Sequence, residues 1–172
     1  MTRHEQNEVF QSWLESHGGL VFKIARSFAE DPSEQEDLGQ EIWLAVWQSI
    51  PRFDSRCKES TYLYRIALNR AISWKRKIRS HRQKIDQLTS EHGHTGSMAH
   101  SSSRDPRLEL IYAALRSLPE ADRALMLLYL DHVPYKEIAE TTGLTVSHVG
   151  VRLNRLRKQL TEELNKKKPH EY

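Results

Sequence analysis

One cysteine, Cys57, is the whole thiol complement of the chain. An intrachain disulfide is excluded, and a reducing compartment is the simple inference. The N-terminal stretch MTRHEQNEVF lacks the apolar core of a signal peptide. No run approaches the roughly 20 apolar residues of a membrane span. A soluble, cytoplasmic chain without membrane insertion is expected. The sequence has no Gly-rich phosphate loop and no cluster with metal-ligand spacing, so neither an enzyme nor a cofactor is expected. His92, His94 and His100 invite a metal hypothesis, but no Cys or carboxylate spacing supports one. Asp37 and Glu41 sit one helical turn apart, as two metal ligands would, yet lack a His or third carboxylate partner. Apolar residues make up only 38% of the 172, below the usual globular share, so core material must be concentrated in certain segments.

Charge is abundant (28%) but nearly balanced, with 26 cations and 23 acids. Its distribution matters more than its sum. From Ser27 to Pro51 there is no Lys or Arg, while Glu30, Asp31, Glu34, Glu36, Asp37 and Glu41 are present. From Ser60 to Ile85 the reverse holds: Arg65, Arg70, Lys75, Arg76, Lys77, Arg79, Arg82 and Lys84 occur without one acid. A chain that separates its charges this way is built to meet two kinds of partner, one of them polyanionic.

Nothing reads as a strand, and helical periodicity dominates. Val9 to Leu14 suggests a first helix ending near His17-Gly18-Gly19, and Leu20 to Phe28 a second. Asp31-Pro32-Ser33-Glu34 is a helix-start signal, and that helix runs to about Ile50. Leu38, Ile42, Ala45, Val46 and Ser49 form its core stripe. Asp37, Gln40, Glu41, Leu44 and Trp47 share another side, which suits a basic protein partner; the alternative is that Trp47 packs under the N-terminal helices. A polar loop, Phe53 to Ser60, precedes a helix beginning at Ser60 or Thr61. Leu63, Ala67, Ala71 and Trp74 face its core. Tyr62, Tyr64, Arg65, Asn69, Arg76 and Lys77 lie elsewhere on it, and rings interleaved with cations suit DNA with unstacked bases. For any one of these tyrosines, partial burial is the plainer account. Residues 81–106, rich in Ser, Gly and His, read as a flexible linker. Asp105-Pro106 restarts helix, and Ser117-Leu118-Pro119-Glu120 gives a second capping box.

The most organised stretch is Val133–Leu164. A short helix carries Tyr135, Ile138 and Ala139, a turn contains Gly143, and a longer helix opens at Thr145, a good N-cap. Val149, Leu153, Leu156, Leu160 and Leu164 form one stripe. This is a helix-turn-helix. At about 100° per residue, Ser147, Val151, Asn154 and Lys158 fall opposite the stripe, flanked by His148 and Arg155. Such groups suit the major groove: Arg to guanine, Asn to adenine, an apolar group to the thymine methyl.

These motifs resemble the bacterial RNA polymerase sigma factors of the extracytoplasmic-function type. Asp37-Leu38-x-Gln40-Glu41-Ile42-x-x-x-Val46-Trp47 resembles the polymerase-binding helix of the sigma-2 domain. Thr61-Tyr62-Leu63-Tyr64-Arg65-Ile66-Ala67-x-Asn69, with Arg76-Lys77, resembles the helix that meets the −10 element. Leu118-Pro119-x-x-x-Arg123 resembles the opening of the sigma-4 domain, and Tyr135 through Arg155 its helix-turn-helix. The resemblance implies an all-α protein of two small domains, a sigma-2 bundle over residues 1–80 and a sigma-4 domain over 107–172, joined by the linker.

It also implies a promoter-recognition subunit that binds core polymerase and directs it to −35 and −10 elements. Asp37, Gln40, Glu41, Leu44 and Trp47 would dock on the β′ clamp coiled coil. Arg56, Thr61, Tyr62, Arg65, Asn69, Ser73, Arg76 and Lys77 would meet the −10 element. Leu118–Leu130 would sit on the β flap. Ser147, His148, Val151, Arg152, Asn154, Arg155 and Lys158 would meet the −35 element. An anti-sigma factor is a compatible further partner. Gly150 and Ser73 depart from the family, which often carries Lys or Arg at the first position and Asp at the second. The alternative is a stand-alone helix-turn-helix regulator, with residues 1–80 as a sensor or dimerisation domain.

Overall fold

Thr2 and Glu5 cap the first helix reciprocally: the Thr2 hydroxyl accepts the Glu5 N–H at 3.3 Å, and Glu5 accepts the Thr2 N–H at 2.7 Å. From there α1 (Arg3–Phe28) runs unbroken through Gly18 and Gly19, where the sequence predicts a stop between two helices. Each glycine costs about 1 kcal/mol in a helix. Trp13, Leu20, Val21, Ile24 and Phe28 are all buried along one side of α1, and full burial of such a side chain yields about 1.5–3 kcal/mol. Tertiary packing therefore outweighs the local penalty. The computed structural model describes residues 2–88 and 105–167 of the chain.

Asp31 caps α2 (Pro32–Ser49) as predicted, its carboxylate accepting the Glu34 N–H at 2.8 Å. A short 3₁₀ turn, Ile50–Arg52, leads into the polar loop. α3 spans Glu59–Leu88. Leu38, Ile42 and Val46 of α2 and Leu63, Ala67, Ala71 and Trp74 of α3 are buried with the α1 stripe. These three helices form the first unit. α3 continues well past residue 80, where the sequence reading ends the first domain. Its cations meet acids at and just before the start of α2: Lys75 reaches Glu30 at 3.4 Å and Arg82 reaches Glu34 at 2.7 Å. Residues 89–104, with His92, His94 and His100 and most of the expected linker, lie outside the described residues.

The second unit contains α4 (Pro106–Ser117), α5 (Glu120–Leu130), α6 (Tyr135–Thr142) and α7 (Val146–Lys167). Asp105 caps α4, accepting the Arg107 N–H at 2.9 Å. The capping box expected at Ser117 does not form: the Ser117 hydroxyl donates back to the Ala114 carbonyl, and α5 opens behind Pro119 without a side-chain cap. Arg123 holds this corner instead. Its Nε donates to the Leu115 carbonyl at 3.0 Å, and Nη2 donates to Arg116 at 2.6 Å and Leu118 at 2.9 Å. Those carbonyls end α4 or follow it, so one guanidinium satisfies acceptors the helix itself leaves open. Gly143, at φ 73°, terminates α6 in the left-handed conformation that a glycine adopts without Cβ strain. Thr145 caps α7, accepting the His148 N–H at 3.2 Å. Val149, Leu153, Leu156 and Leu160 are buried.

The two units touch. Arg123 Nη1 donates to the Ser27 carbonyl of α1 at 3.1 Å, and its guanidinium lies 4.8 Å from the Phe28 ring centroid. Arg26 of α1 pairs with Glu109 of α4 at 2.9 Å and stacks over Tyr112 at 4.3 Å. Burial pulls the Arg123 pKa down, with Glu120 opposing. Among the described residues there is no strand, and no helix is long and apolar enough to cross a membrane.

Arg123→Met keeps most of the volume but leaves three buried carbonyls and one half-buried carbonyl without their donor. A loss of about 3 kcal/mol is expected, read as a lower urea midpoint of the full chain at unchanged slope.

Candidate nucleic-acid interface

Four surfaces carry the residues singled out in the sequence. On α2, Asp37 and Gln40 are exposed, and Leu44 keeps 53% of its surface in water. A leucine left that open beside an acid and an amide makes an unpartnered face. Two neighbours are more engaged than expected. Glu41 pairs with Arg70 of α3 at 3.0 Å. Trp47 is half-buried, its indole N–H donating to Asn7 at 3.2 Å while its carbonyl accepts from Gln6 at 2.7 Å. The start of α1 therefore touches Trp47 without covering it, and leaves Asp37, Gln40 and Leu44 as the more open part.

The loop before α3 is anchored at its ends by rings. Phe53 stacks edge-on to Trp13 at 5.1 Å and tilts against Tyr62 at 4.9 Å. The Tyr62 hydroxyl donates to the Ser49 carbonyl at 3.0 Å. Between these anchors the loop turns at Ser55, with φ 59°, and presents Arg56, which pairs with Asp54 at 3.0 Å. Cys57 is half-buried rather than open to solvent.

Along α3 the residues divide. Asn69, Ser73, Arg76 and Lys77 are exposed. Thr61 and Tyr64 are buried, and not within their own unit. The Thr61 hydroxyl bonds to Glu137 of α6 at 2.9 Å, and the Tyr64 hydroxyl donates to Asp131 in the α5–α6 turn, which Lys23 of α1 also meets. Arg65 donates to the Glu140 carbonyl at 3.0 Å. Lys58 reaches Glu137 at 2.6 Å, and Arg79 reaches Glu120 at 2.5 Å. The Lys58 ammonium and then the Thr61 hydroxyl hold the Glu137 carboxyl below the usual carboxylate range. Sequence reasoning gives Glu120, Asp131 and Glu137 no partner on α3. The available signal is charge: a helix with no acid from Ser60 to Ile85 must find most of its anions elsewhere, and these acids lie in the second unit.

On α7, Ser147, His148, Asn154, Arg155 and Lys158 are all exposed, and Val151 is 71% exposed. Arg152 differs, since its Nε donates to the buried Asp122 at 2.5 Å. That pair fixes α7 on α5, so the open face is the one opposite Val149. Among the described residues no cluster of His, Cys, Asp or Glu could hold a metal ion.

A helix-turn-helix unit on a three-helix bundle, with cations along α3 and an open polar face on α7, defines a helical DNA-binding class. Comparison with known proteins narrows this. Residues 13–81 match the Sigma-70 region 2 family model, and residues 108–160 match Sigma-70, region 4, together more than half of the chain. The chain belongs to the sigma-70 family, in its extracytoplasmic-function branch. It is 29% identical over 169 residues to the ECF RNA polymerase sigma factor SigE of Mycolicibacterium smegmatis, covering 90% of this chain and 62% of that protein. It is 33% identical over 78 residues to SigX of Bacillus subtilis, covering 45% and 40%. With SigW of the same organism it shares 25% identity, over 91% of this chain and 89% of that one. The chain thus spans less than two thirds of the length of the first two. In fold it is similar to the sigma factor RpoE of Bartonella quintana, solved with the anti-sigma factor NepR, at TM-score 0.72 and 18% identity over 94% of this chain and 99% of that one. CnrH, solved with the cytosolic domain of CnrY, gives 0.66 and 22%, over 94% and 91%.

Gly150 lies on α7 beneath Tyr135, whose ring carbon would sit 3.7 Å from an added Cβ, an ordinary contact. Gly150→Ala should stabilise the chain by about 0.5–1 kcal/mol, seen as a higher thermal midpoint.

Proposed function

We propose that this protein is a promoter-recognition subunit of bacterial RNA polymerase, without catalysis of its own, acting in the cytoplasm. The observation that carries it is one chain holding two helices with exposed cationic or polar faces and a separate unpartnered apolar-acidic face. The α7 face of Ser147, Val151, Asn154, Arg155 and Lys158 reads the −35 element. The exposed cations of α3, with Arg56 of the loop, follow the −10 element. Cations set register on phosphates, while a few side chains read base edges. Asp37, Gln40 and Leu44 of α2 dock on the β′ clamp coiled coil, joined by the exposed parts of Glu41 and Trp47. The Leu118–Leu130 region meets the β flap. The domain assignment follows, with the first unit as sigma-2 and the second as sigma-4. Two short elements held by linked domains gain from effective concentration. An anti-sigma factor is a further partner of this design.

The stand-alone regulator is not favoured, because the region 2 match along residues 13–81 has no role in it.

Run-off transcription with core polymerase and a genomic promoter library tests the proposal. Promoter-specific transcripts that depend on this protein are expected, and Asp37→Arg with Leu44→Glu should abolish them while leaving the fold intact by circular dichroism. Transcripts unchanged by that pair would remove α2 from the interface. Asn154→Ala should cost about 1–3 kcal/mol at one −35 position and relax its base preference, measured by transcription from a set of −35 variants.

A further inference from the structure

The exposed stripe of α3 does not end where the −10 set ends. At about 100° per residue, Asn69, Arg76, Lys77, Ser80 and Lys84 all fall within about 60° of Ser73, and all of them are exposed. Arg76, Lys77 and Lys84 make no ion pair among the described residues. Lys75, Arg79 and Arg82 lie about 120° or more away, and Glu30, Glu120 and Glu34 take them. The last two pairs, at 2.5 and 2.7 Å, brace the far part of α3 against α5 and α2. The Sigma-70 region 2 match stops at residue 81, while α3 runs on to Leu88. Lys84 therefore lies past the matched region, and neither it nor Ser80 belongs to the sets assigned above. We propose that the far part of α3 makes a third promoter contact, with Ser80 and Lys84 holding the phosphates of the duplex between the −10 and −35 elements.

Reach and direction both fit. From Ser73 to Lys84 the helix axis advances roughly 16 Å, about five base-pair steps of 3.4 Å. Rings at the start of α3 suit unstacked bases, whereas the −35 element is read as duplex in the major groove. A helix laid along the DNA from its opened end thus carries Lys84 onto intact duplex on the −35 side. Ser73, Lys77, Ser80 and Lys84 recur at alternating spacings of four and three residues, with no acid among them. Such a row of hydroxyls and ammonium groups matches a uniformly charged backbone. Its contacts position the protein without specifying sequence. Each ammonium on a phosphate also releases counterions, which makes the contribution salt-dependent.

This inference rests on the proposed function, and the test separates the two. Holoenzyme made from core polymerase and the full chain is bound, across a salt series, to a promoter taken from the run-off transcripts. Lys84→Ala should weaken binding about three- to tenfold, by one factor on all −10 and −35 variants. It should also lower the slope of log affinity against log salt by about 1. Lys84→Arg should restore both. Adding Ser80→Ala should weaken binding further without changing the slope, since a hydroxyl carries no charge. Neutral methylphosphonates in the spacer, within about five base pairs of the −10 element, should weaken the parent holoenzyme and leave the Lys84→Ala holoenzyme nearly unchanged. Alanine favours helix at an exposed position, so the loss does not come from unfolding. If transcription is promoter-specific but Lys84→Ala keeps the parent slope, or methylphosphonates weaken both proteins alike, the third contact is refuted and the function stands. If Lys84→Ala instead weakens holoenzyme assembly without DNA, the stripe meets an acidic protein surface and the DNA contact is refuted. If the parent chain gives no promoter-specific transcript, the function fails and takes the third contact with it.

Discussion

α3 carries cations along its length from Ser60 to Ile85 and no acid with which to neutralise them. That constraint arranges the molecule. Arg70, Lys75 and Arg82 draw α2 and the turn before it along one side through Glu41, Glu30 and Glu34. Lys58 and Arg79 draw the second unit against another through Glu137 and Glu120, with Arg65 adding the Glu140 carbonyl. Like charges this dense repel one another unless anions lie near. The fold supplies protein carboxylates to some and leaves Arg76 and Lys77 exposed. The surface that suits a polyanion is also the surface that organises the protein.

Buried cations play a different part. Arg123 and Arg26 lie at the junction of α1, α4 and α5, and both are nearly inaccessible. Arg123 spends its donors on carbonyls and its face on Phe28; Arg26 spends its own on Glu109 and Tyr112. A charge withdrawn from water is costly where its donors are unmet; Arg123 meets its own, while among the described residues Arg26 Nε is buried without a hydrogen-bond partner. Three of the four Arg123 bonds stay within the second unit and one crosses to α1, so one side chain closes the corner of α4 and α5 and also ties it to the first unit. The same residue serves the stability of one part and the closure of the whole.

Legibility from sequence followed the range of the interaction. The caps at Asp31, Asp105 and Thr145 and the stripes of α2, α3 and α7 involve neighbours within a turn or two, and they were readable. The continuity of α1 through Gly18 and Gly19 was not, because the energy that overrides two glycines comes from α2 and α3. The cap expected at Ser117 failed for a related reason: Arg123 and the buried Leu118 define that corner. Trp47 was open to two accounts, and its hydrogen bond to Asn7 at the start of α1, 40 residues away in sequence, was not readable from its own helix. Thr61, Tyr64 and Arg65 were readable as a set on α3, but their partners lie some 70 residues away in sequence.

The sequence by itself determined the all-α class, the helix-turn-helix, the segregation of charge and the open face of α7. These depend on periodicity, capping and composition, which are local and additive. Only the tertiary structure decided which cations of α3 are free, which are spent on α2 and which are held by α6. Pairing of charges depends on the distance between elements brought together by packing, and a linear pattern holds no such distance.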